Sequence, residues 1–167
     1  RGINVSYTPD APTPAVAELT LGLILSLLRG IHEANLSLHN SKWMRYTGRR
    51  FSEITLGVIG AGRIGSRVIS QSSTFGPRRI LVHDIENVSS RFPEHMIQQV
   101  DCDYLLQNSD VISLHVPLTK RTRNMIDRRE FSLMKRDAIL INTSRGGIVN
   151  ESALFTALSQ NRIQGAA

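Results

Sequence analysis

The 167-residue sequence predicts an α/β fold, a doubly wound parallel sheet preceded by a long helix. Short apolar runs alternate with segments whose apolar residues recur at helical spacing, as parallel strands joined by crossover helices require. One apolar run, 55–59, leads directly into three glycines spaced G-x-G-x-x-G at 60–65. Polar or charged residues, among them Asp84, His115 and Arg145, follow the other predicted strands. These observations predict one ligand-binding edge on a parallel sheet.

The first 40 residues are expected to form a loop and one long helix. Residues 1–13 contain Pro9 and Pro12 and predict a loop. Thr13 and Pro14 suit the cap and first turn of a helix. Apolar residues at helical spacing extend that helix to about His39: Val16, Leu19, Leu23, Leu27 and Ile31. The polar stretch 42–53 then connects the helix to the first strand.

Beyond residue 54 the pattern predicts strands that alternate with helices. The predicted strands are 55–59, 80–83, a short one near 96–98, 111–115, 138–142 and one starting at 163. The predicted helices are 63–74, one after Asp101, a turn around 129–134, and 151–159. In the common strand order 3-2-1-4-5-6, the chain reverses direction between strands one and four. A ligand crevice is therefore expected at the carboxyl ends of those two strands.

The glycine-rich turn has the spacing of a dinucleotide-binding turn. Gly60 makes the tight turn, Gly62 lets a pyrophosphate approach the backbone, and Gly65 lets the helix pack close to the strand. The free amides of Arg63 and Ile64 begin the helix and face the phosphates. The strand before the motif and the helix after it give the context that this motif requires.

Asp84 ends the second predicted strand, 19 residues after Gly65. A carboxylate there accepts hydrogen bonds from the adenosine ribose and repels a 2′-phosphate. Ile85 and Glu86 follow, and no arginine is expected in place to receive that phosphate, so NAD is favoured over NADP. The alternative is a loop or helix-capping carboxylate.

Arg145 is the candidate catalytic residue. It follows a buried strand and precedes two glycines, and its planar guanidinium suits a substrate carboxylate and a developing oxyanion. The alternative is a structural arginine paired with an acid. His115 is a weaker candidate proton donor, and a hydrogen-bonded histidine flanking the cofactor is preferred. Pro117 ends the strand and shapes the loop beside the adenosine.

Composition excludes several other classes of function. The net charge of +6 comes from 17 arginines and three lysines spread along the chain beside acidic residues, which argues against a nucleic-acid surface. The longest apolar run, 19–28, is too short for a membrane span. The single cysteine, Cys102, suits a reducing compartment, so a cytoplasmic location is expected. No metal is expected, since no histidine or cysteine pair has ligand spacing.

Four stretches resemble the D-isomer-specific 2-hydroxyacid dehydrogenases, which include phosphoglycerate and lactate dehydrogenases and C-terminal-binding corepressors. They are TPAVAELTLGLILSLLR (13–29), LGVIGAGRIG (56–65), DVISLHVPLTKRTRNMID (110–127) and INTSRGGIVNESALFTAL (141–158). Together they span nearly the whole chain. The resemblance implies a Rossmann-type NAD-binding domain over 41–167, truncated at its C-terminal end, after a loop and interdomain helix over 1–40.

The resemblance also implies roles for individual residues. Arg63 and Ile64 contact the pyrophosphate and Asp84 the ribose, and Arg145 is the catalytic arginine. The remaining cofactor contacts are His115, Val116 and Pro117 on the adenosine side, and Thr143, Ser144 and Arg145 on the nicotinamide side. The implied partners are a small 2-hydroxy or 2-oxo acid and a second copy of the chain.

Family enzymes use two further catalytic residues, a histidine and a glutamate, which are expected beyond the equivalent of Ala167. Most of the substrate domain is also expected outside this sequence. The chain is therefore expected to bind cofactor without turnover. The alternative is an NAD-sensing module of the corepressor type, and the sequence does not identify the acid.

Overall fold

The computed structural model describes residues 2–8 and 10–167; Arg1 and Pro9, both in the predicted N-terminal loop, lie outside the described residues. The helices are α1 (Thr13–Arg29), α2 (Ile31–His39), α3 (Arg63–Ser73), α4 (Cys102–Asn108), α5 (Arg128–Leu133) and α6 (Glu151–Ser159). The strands are β1 (Thr55–Ile59), β2 (Arg79–His83), β3 (Gln98–Gln99), β4 (Val111–Leu114), β5 (Ile139–Asn142) and β6 (Gly165–Ala166). Two short 3₁₀ helices, Phe51–Glu53 and Ser89–Arg91, lie in the connections.

The six strands form one parallel sheet in the order β3-β2-β1-β4-β5-β6, which confirms the predicted topology. The strand β1 lies between β2 and β4, with Ile59 opposite His83 on one side and Leu114 on the other. The chain therefore changes direction across the sheet between β1 and β4. The carboxyl ends of these strands are the expected place for a ligand.

Apolar side chains cover both faces of the sheet. One cluster joins α1 and α3 to the sheet through Ile24, Leu28 and Ile69, packed with Leu56 and Val58 of β1. The other cluster holds the alternate strand residues with α4, α5 and α6: Ile59, Leu81, Leu105, Ile112, Phe131 and Ala153 are among its members. Burial on both faces explains why the strands read as continuous apolar runs.

The long helix predicted to His39 is wrong in one respect: it is two helices that meet at Gly30 with a bend of 64°. Gly30 has φ +59°, the left-handed conformation that commonly ends a helix. A side chain there would also press on the ring of Tyr46, whose Cδ1 lies 3.2 Å from the position of a Cβ. The helix therefore breaks at Gly30, a position that the spacing of apolar residues does not identify.

Other differences concern the ends of elements. The edge strands β3 and β6 are only two residues long and lie one to two residues later than predicted, and β4 ends before His115. A strand at the edge of a sheet pairs on one side only and is less buried, so its apolar pattern is weaker and its bounds are harder to predict. In the part of the chain that the structure describes, no single helix is long and apolar enough to cross a membrane, and α1 with α2 reach that length and composition only as a bent pair.

Candidate cofactor and substrate site

The glycine turn between β1 and α3 has the close contacts that its motif predicts. Gly60 has φ +92°, and a Cβ there would lie 2.7 Å from the carbonyl oxygen of His115. A Cβ on Gly65 would lie 1.9 Å from the carbonyl oxygen of Gly60, so only glycine lets α3 start this close to the turn. A Cβ on Gly62 would meet nothing within 4 Å, which leaves open space above the backbone at the start of α3.

That open space faces the N-terminus of an 11-residue helix. Gly62 caps α3 without a side-chain hydrogen bond, and Arg63 and Ile64 are its first residues. The first amides of a helix lack partners within it and favour an anion such as pyrophosphate. The Arg63 side chain itself turns to Asp10, with its Nε 2.7 Å from a carboxylate oxygen. Arg63 is therefore placed to contribute its amide.

Asp84 follows β2, and its carboxylate binds the backbone of the glycine turn. Its Oδ2 accepts a hydrogen bond from Ala61 N at 2.7 Å, and its Oδ1 accepts one from Glu86 N at 3.0 Å. Asp84 thus acts as a loop carboxylate, the alternative to ribose binding that the sequence left open. Because Asp84 also lines the cleft described next, the same carboxylate is available to a ribose.

A mostly apolar cleft of about 510 Å³ lies between the ends of β1, β2 and β4. Its walls include the predicted residues Gly60, Gly62, Asp84, His115, Val116 and Pro117, and others that the sequence did not single out: Ile59, His83, Ile85, Thr119, Lys120, Arg121, Thr122 and Met125. The Thr122 hydroxyl closes the loop by donating to Pro117 O at 2.5 Å. The size and apolar lining of the cleft suit an adenosine.

A second cleft, of about 590 Å³, continues from the first and shares His115, Val116 and Pro117 with it. Its remaining walls are Pro12, Val16, Ile64, Leu118, Thr143, Ser144 and Arg145. Pro12 and Val16 carry no local signal of a site, because they are brought there by the packing of α1. The two clefts together extend from Asp84 to Arg145 along the carboxyl edge of the sheet.

The loop after β5 is fixed by hydrogen bonds that present Arg145. Thr143 Oγ1 lies 2.9 Å from Thr20 Oγ1 of α1, and Ser144 Oγ donates to Leu114 O at 2.6 Å. Asn142 Nδ2 donates to Arg145 O at 3.0 Å. The Arg145 side chain is exposed, and its Nη1 donates to Ser144 O at 2.8 Å. Among the described residues its guanidinium forms no ion pair, unlike the structural arginine of the alternative interpretation.

His115 lies between the two clefts but does not carry the proton that a donor needs at neutral pH. Its Nε2 lies 2.8 Å from Ser113 Oγ, a buried hydroxyl, and burial lowers the pKa of the imidazole to about 4. The ring is therefore neutral near pH 7. This favours the predicted structural, cofactor-flanking role over that of a proton donor.

Arg91, which is not among the residues that line the first cleft, lies close to the glycine turn, while Arg121 lines the cleft itself. Arg91, in the short 3₁₀ helix Ser89–Arg91, has its Nη1 3.5 Å from Ala61 O, and its Nη2 pairs with Glu86. Sequence reasoning missed the contact between Arg91 and the turn, because Arg91 lies outside the glycine motif and reaches the turn through an irregular loop.

Fold and site together define a dinucleotide-binding domain: a glycine turn that accommodates a pyrophosphate, a carboxylate at the ribose position and a cleft on each side of the turn. The chain belongs to the D-isomer specific 2-hydroxyacid dehydrogenase family, and residues 21–167 match the model of its NAD binding domain. NAD is therefore the cofactor of this domain.

Three known proteins illustrate the similarity. The D-3-phosphoglycerate dehydrogenase of Methanocaldococcus jannaschii is 41% identical over the whole chain, which covers 32% of that protein. A D-lactate dehydrogenase from Aquifex aeolicus, solved with NAD and lactic acid, is 36% identical with a TM-score of 0.88, and 99% of this chain covers 50% of it. An acyclic imino acid reductase solved with NADPH and D-Arg is 35% identical with a TM-score of 0.83, and 95% of this chain covers 51% of it. The chain thus spans about half or less of the length of these relatives.

Proposed function

We propose that this chain supplies the cofactor site and the catalytic arginine of an enzyme that transfers a hydride between nicotinamide and a small D-2-hydroxy or 2-oxo acid. The observation that carries the proposal is the position of Arg145, an exposed guanidinium at the end of a cleft that continues from the glycine turn. Its planar fork is suited to a bidentate grip on the carboxylate of such an acid.

Arg145 would also act on the reaction itself. When bound, the nicotinamide cofactor would supply the hydride as NADH for reduction of a 2-oxo acid, or accept it as NAD in oxidation of a 2-hydroxy acid. A guanidinium beside the oxygen on carbon 2 stabilises the charge that develops there during reduction of a 2-oxo acid. Thr143 and Ser144, anchored to α1 and β4, keep the loop that carries Arg145 in place. Fixed donors of this kind are more effective than mobile ones, because they need no reorganisation during the reaction.

The 167-residue chain alone is proposed to bind NAD(H) without turnover. Reduction of a 2-oxo acid needs a proton donor. Among the residues that the structure describes, His115 is the one histidine that lines both clefts, so it is the candidate for that role. Its pKa of about 4 leaves it unprotonated at neutral pH. The histidine and glutamate that the family uses for this step are expected outside this sequence, as is the substrate domain that excludes water.

A corepressor-like NAD sensor is not favoured. The relatives above carry the names of dehydrogenases and reductases, and one of them holds lactic acid beside NAD. The structure with NADPH shows that this fold also accepts the phosphorylated cofactor, so NAD preference in this chain is assigned to Asp84 and its surroundings.

We also propose that two copies associate through the surface of α1, α2 and the segment after them. This surface exposes large apolar side chains: Leu19, Ile31, Leu36, Leu38, Trp43 and Met44. Trp43 is 84% exposed, and several large apolar side chains exposed on neighbouring elements are typical of an interface. Sedimentation velocity should show a dimer that Trp43→Glu dissociates, and a monomer at all concentrations would contradict the proposal.

The experiment on catalysis uses both the chain and the longer protein that contains it. With NADH and a panel of 2-oxo acids, we expect no NADH consumption by the chain. In the full-length enzyme, Arg145→Leu should lower kcat/KM by about 10²–10³ with little change in NADH affinity. The matched control, Arg136→Leu, removes an exposed arginine near the amino edge of the sheet and should change neither. Unchanged kcat/KM in Arg145→Leu, or turnover by the chain that His115→Ala abolishes, would contradict the proposal.

A further inference from the structure

Beside the glycine turn, just outside the residues that line the first cleft, lies an ion pair that the cofactor motif does not explain. Arg91 Nη2 donates to Glu86 Oε2, while Arg91 Nη1 lies 3.5 Å from Ala61 O. Ala61 is the residue between the first two glycines of the turn, and its amide donates to Asp84 at 2.7 Å. The guanidinium of Arg91 and the carboxylate of Asp84 thus both approach the same turn residue, one from its carbonyl and one from its amide.

Two side chains hold the loop that carries Glu86 through hydrogen bonds to the Glu86 backbone. Glu86 N donates to Asp84 Oδ1 at 3.0 Å, and Glu86 O accepts from Gln99 Nε2 at 2.7 Å. Gln99 Oε1 in turn accepts from Val88 N at 2.9 Å. Neither of the Glu86 bonds uses its side chain, so a change from Glu86 to glutamine leaves the loop in place.

Charged groups surround the place where a phosphate on the adenosine ribose would lie if the ribose binds Asp84. A 2′-phosphate brings a charge of about −2. On the Asp84 side it would meet the carboxylates of Asp84 and Glu86 and the guanidinium of Arg91, and across the cleft lie Lys120 and Arg121. An arginine near this position is the usual receptor for that phosphate. Here the guanidinium of Arg91 is already neutralised by Glu86. The pair is also exposed, with Arg91 46% and Glu86 66% accessible, so it contributes little to folding.

We propose that Glu86 is a second determinant of NAD specificity, acting by occupying Arg91. Asp84 favours the ribose hydroxyls directly, and Glu86 withholds the guanidinium of Arg91, which lies on the Asp84 side of the glycine turn. When Glu86 loses its charge, Arg91 is free to pair with a 2′-phosphate. This inference rests on the NAD site at the glycine turn, and the binding of NADH by the unaltered chain tests that site separately.

The test is calorimetric titration of the chain with NADH and with NADPH. Glu86→Gln should strengthen NADPH binding about tenfold, the effect of one partly screened charged contact, with NADH affinity unchanged within about twofold. Glu86→Gln combined with Arg91→Gln should lose that gain. The control is Glu53→Gln, which removes an exposed glutamate paired with Arg50 before β1, at the other edge of the sheet, and should leave both affinities unchanged.

Two results would overturn the proposal. One is an unchanged ratio of NADPH to NADH affinity in Glu86→Gln. The other is a gain that persists when Arg91 is also replaced, which would assign it to loss of negative charge or to Lys120 and Arg121 across the cleft. Absence of NADH binding by the unaltered chain would instead contradict the cofactor site itself.

Discussion

Asp84 combines a structural and a binding role in one side chain. Its hydrogen bond to Ala61 N ties the loop after β2 to the glycine turn, and its place in the cleft supports the proposal that it binds the ribose. The sequence predicted the second role from the spacing to Gly65. It could not distinguish that role from the first, because both need a carboxylate at the same strand end.

Asp84→Ala should weaken NADH binding more than NADPH binding and so reduce the preference for NADH. Each hydrogen bond to a charged acceptor contributes about 1.5–3 kcal/mol, so a loss of roughly tenfold or more in NADH affinity is expected. Calorimetry measures both affinities. Asp84→Asn, which keeps an oxygen for Ala61 N, is the control for a loosened turn. Equal affinities for the two cofactors before the substitution would contradict the assignment.

His115 should make the stability of the chain depend on pH. Burial lowers its pKa from 6.5 to about 4, so the unfolded chain binds the proton more tightly than the folded chain. The free energy of unfolding should therefore be unaffected by this group above about pH 7 and fall as the pH drops from 6.5 towards 4. The loss is about 3 kcal/mol at most.

Urea unfolding of the chain and of His115→Gln across this pH range measures the effect. The variant lacks the imidazole and should lose less stability on acidification. Carboxylates titrate in both proteins and cancel in the comparison. Identical pH dependence in the two proteins would show that His115 is not buried in its neutral form.

Among the helices and strands, the central strands and α3 could be predicted, because the spacing of apolar residues and the spacing of the glycines indicate the same boundaries. The boundaries of β1 and the start of α3 match the prediction. The break at Gly30 could not be predicted from apolar period, because α2 continues the pattern of α1 and only the left-handed φ of one residue separates them. The edge strands β3 and β6 depend on their neighbours rather than on their own sequence.

The contact between α3 and the turn gives a prediction about Gly65. Gly65→Ala should destabilise the chain by about 1–3 kcal/mol or more, because its Cβ would overlap the carbonyl oxygen of Gly60 and push α3 away. Urea unfolding measures the change. Gly22→Ala in α1 is the matched control: its Cβ meets nothing within 4 Å, and a gain of up to about 1 kcal/mol is expected. Equal effects of the two substitutions would contradict the close packing.

At the scale of the molecule, the parallel sheet gathers residues that are far apart in sequence into one site. Gly62, Asp84, His115 and Arg145 follow four different strands, and the strand order brings all of them to one edge. This part of the site was predictable, since it follows from topology. The contribution of Pro12, Val16 and Thr20 was not predictable, because it depends on how α1 packs beside the second cleft and the loop that carries Arg145.

We propose that the open space at Gly62 holds the pyrophosphate of NAD. Gly62 has φ −70° and free space around its Cβ position, so Gly62→Val is compatible with the fold and should cost about 1 kcal/mol or less of stability. The decisive measurement is the NADH dissociation constant of this variant beside that of the unaltered chain, with the melting temperature of each. We predict at least tenfold weaker binding, about 1.4 kcal/mol, at a nearly unchanged melting temperature. An unchanged dissociation constant would contradict the placement of NAD at this turn.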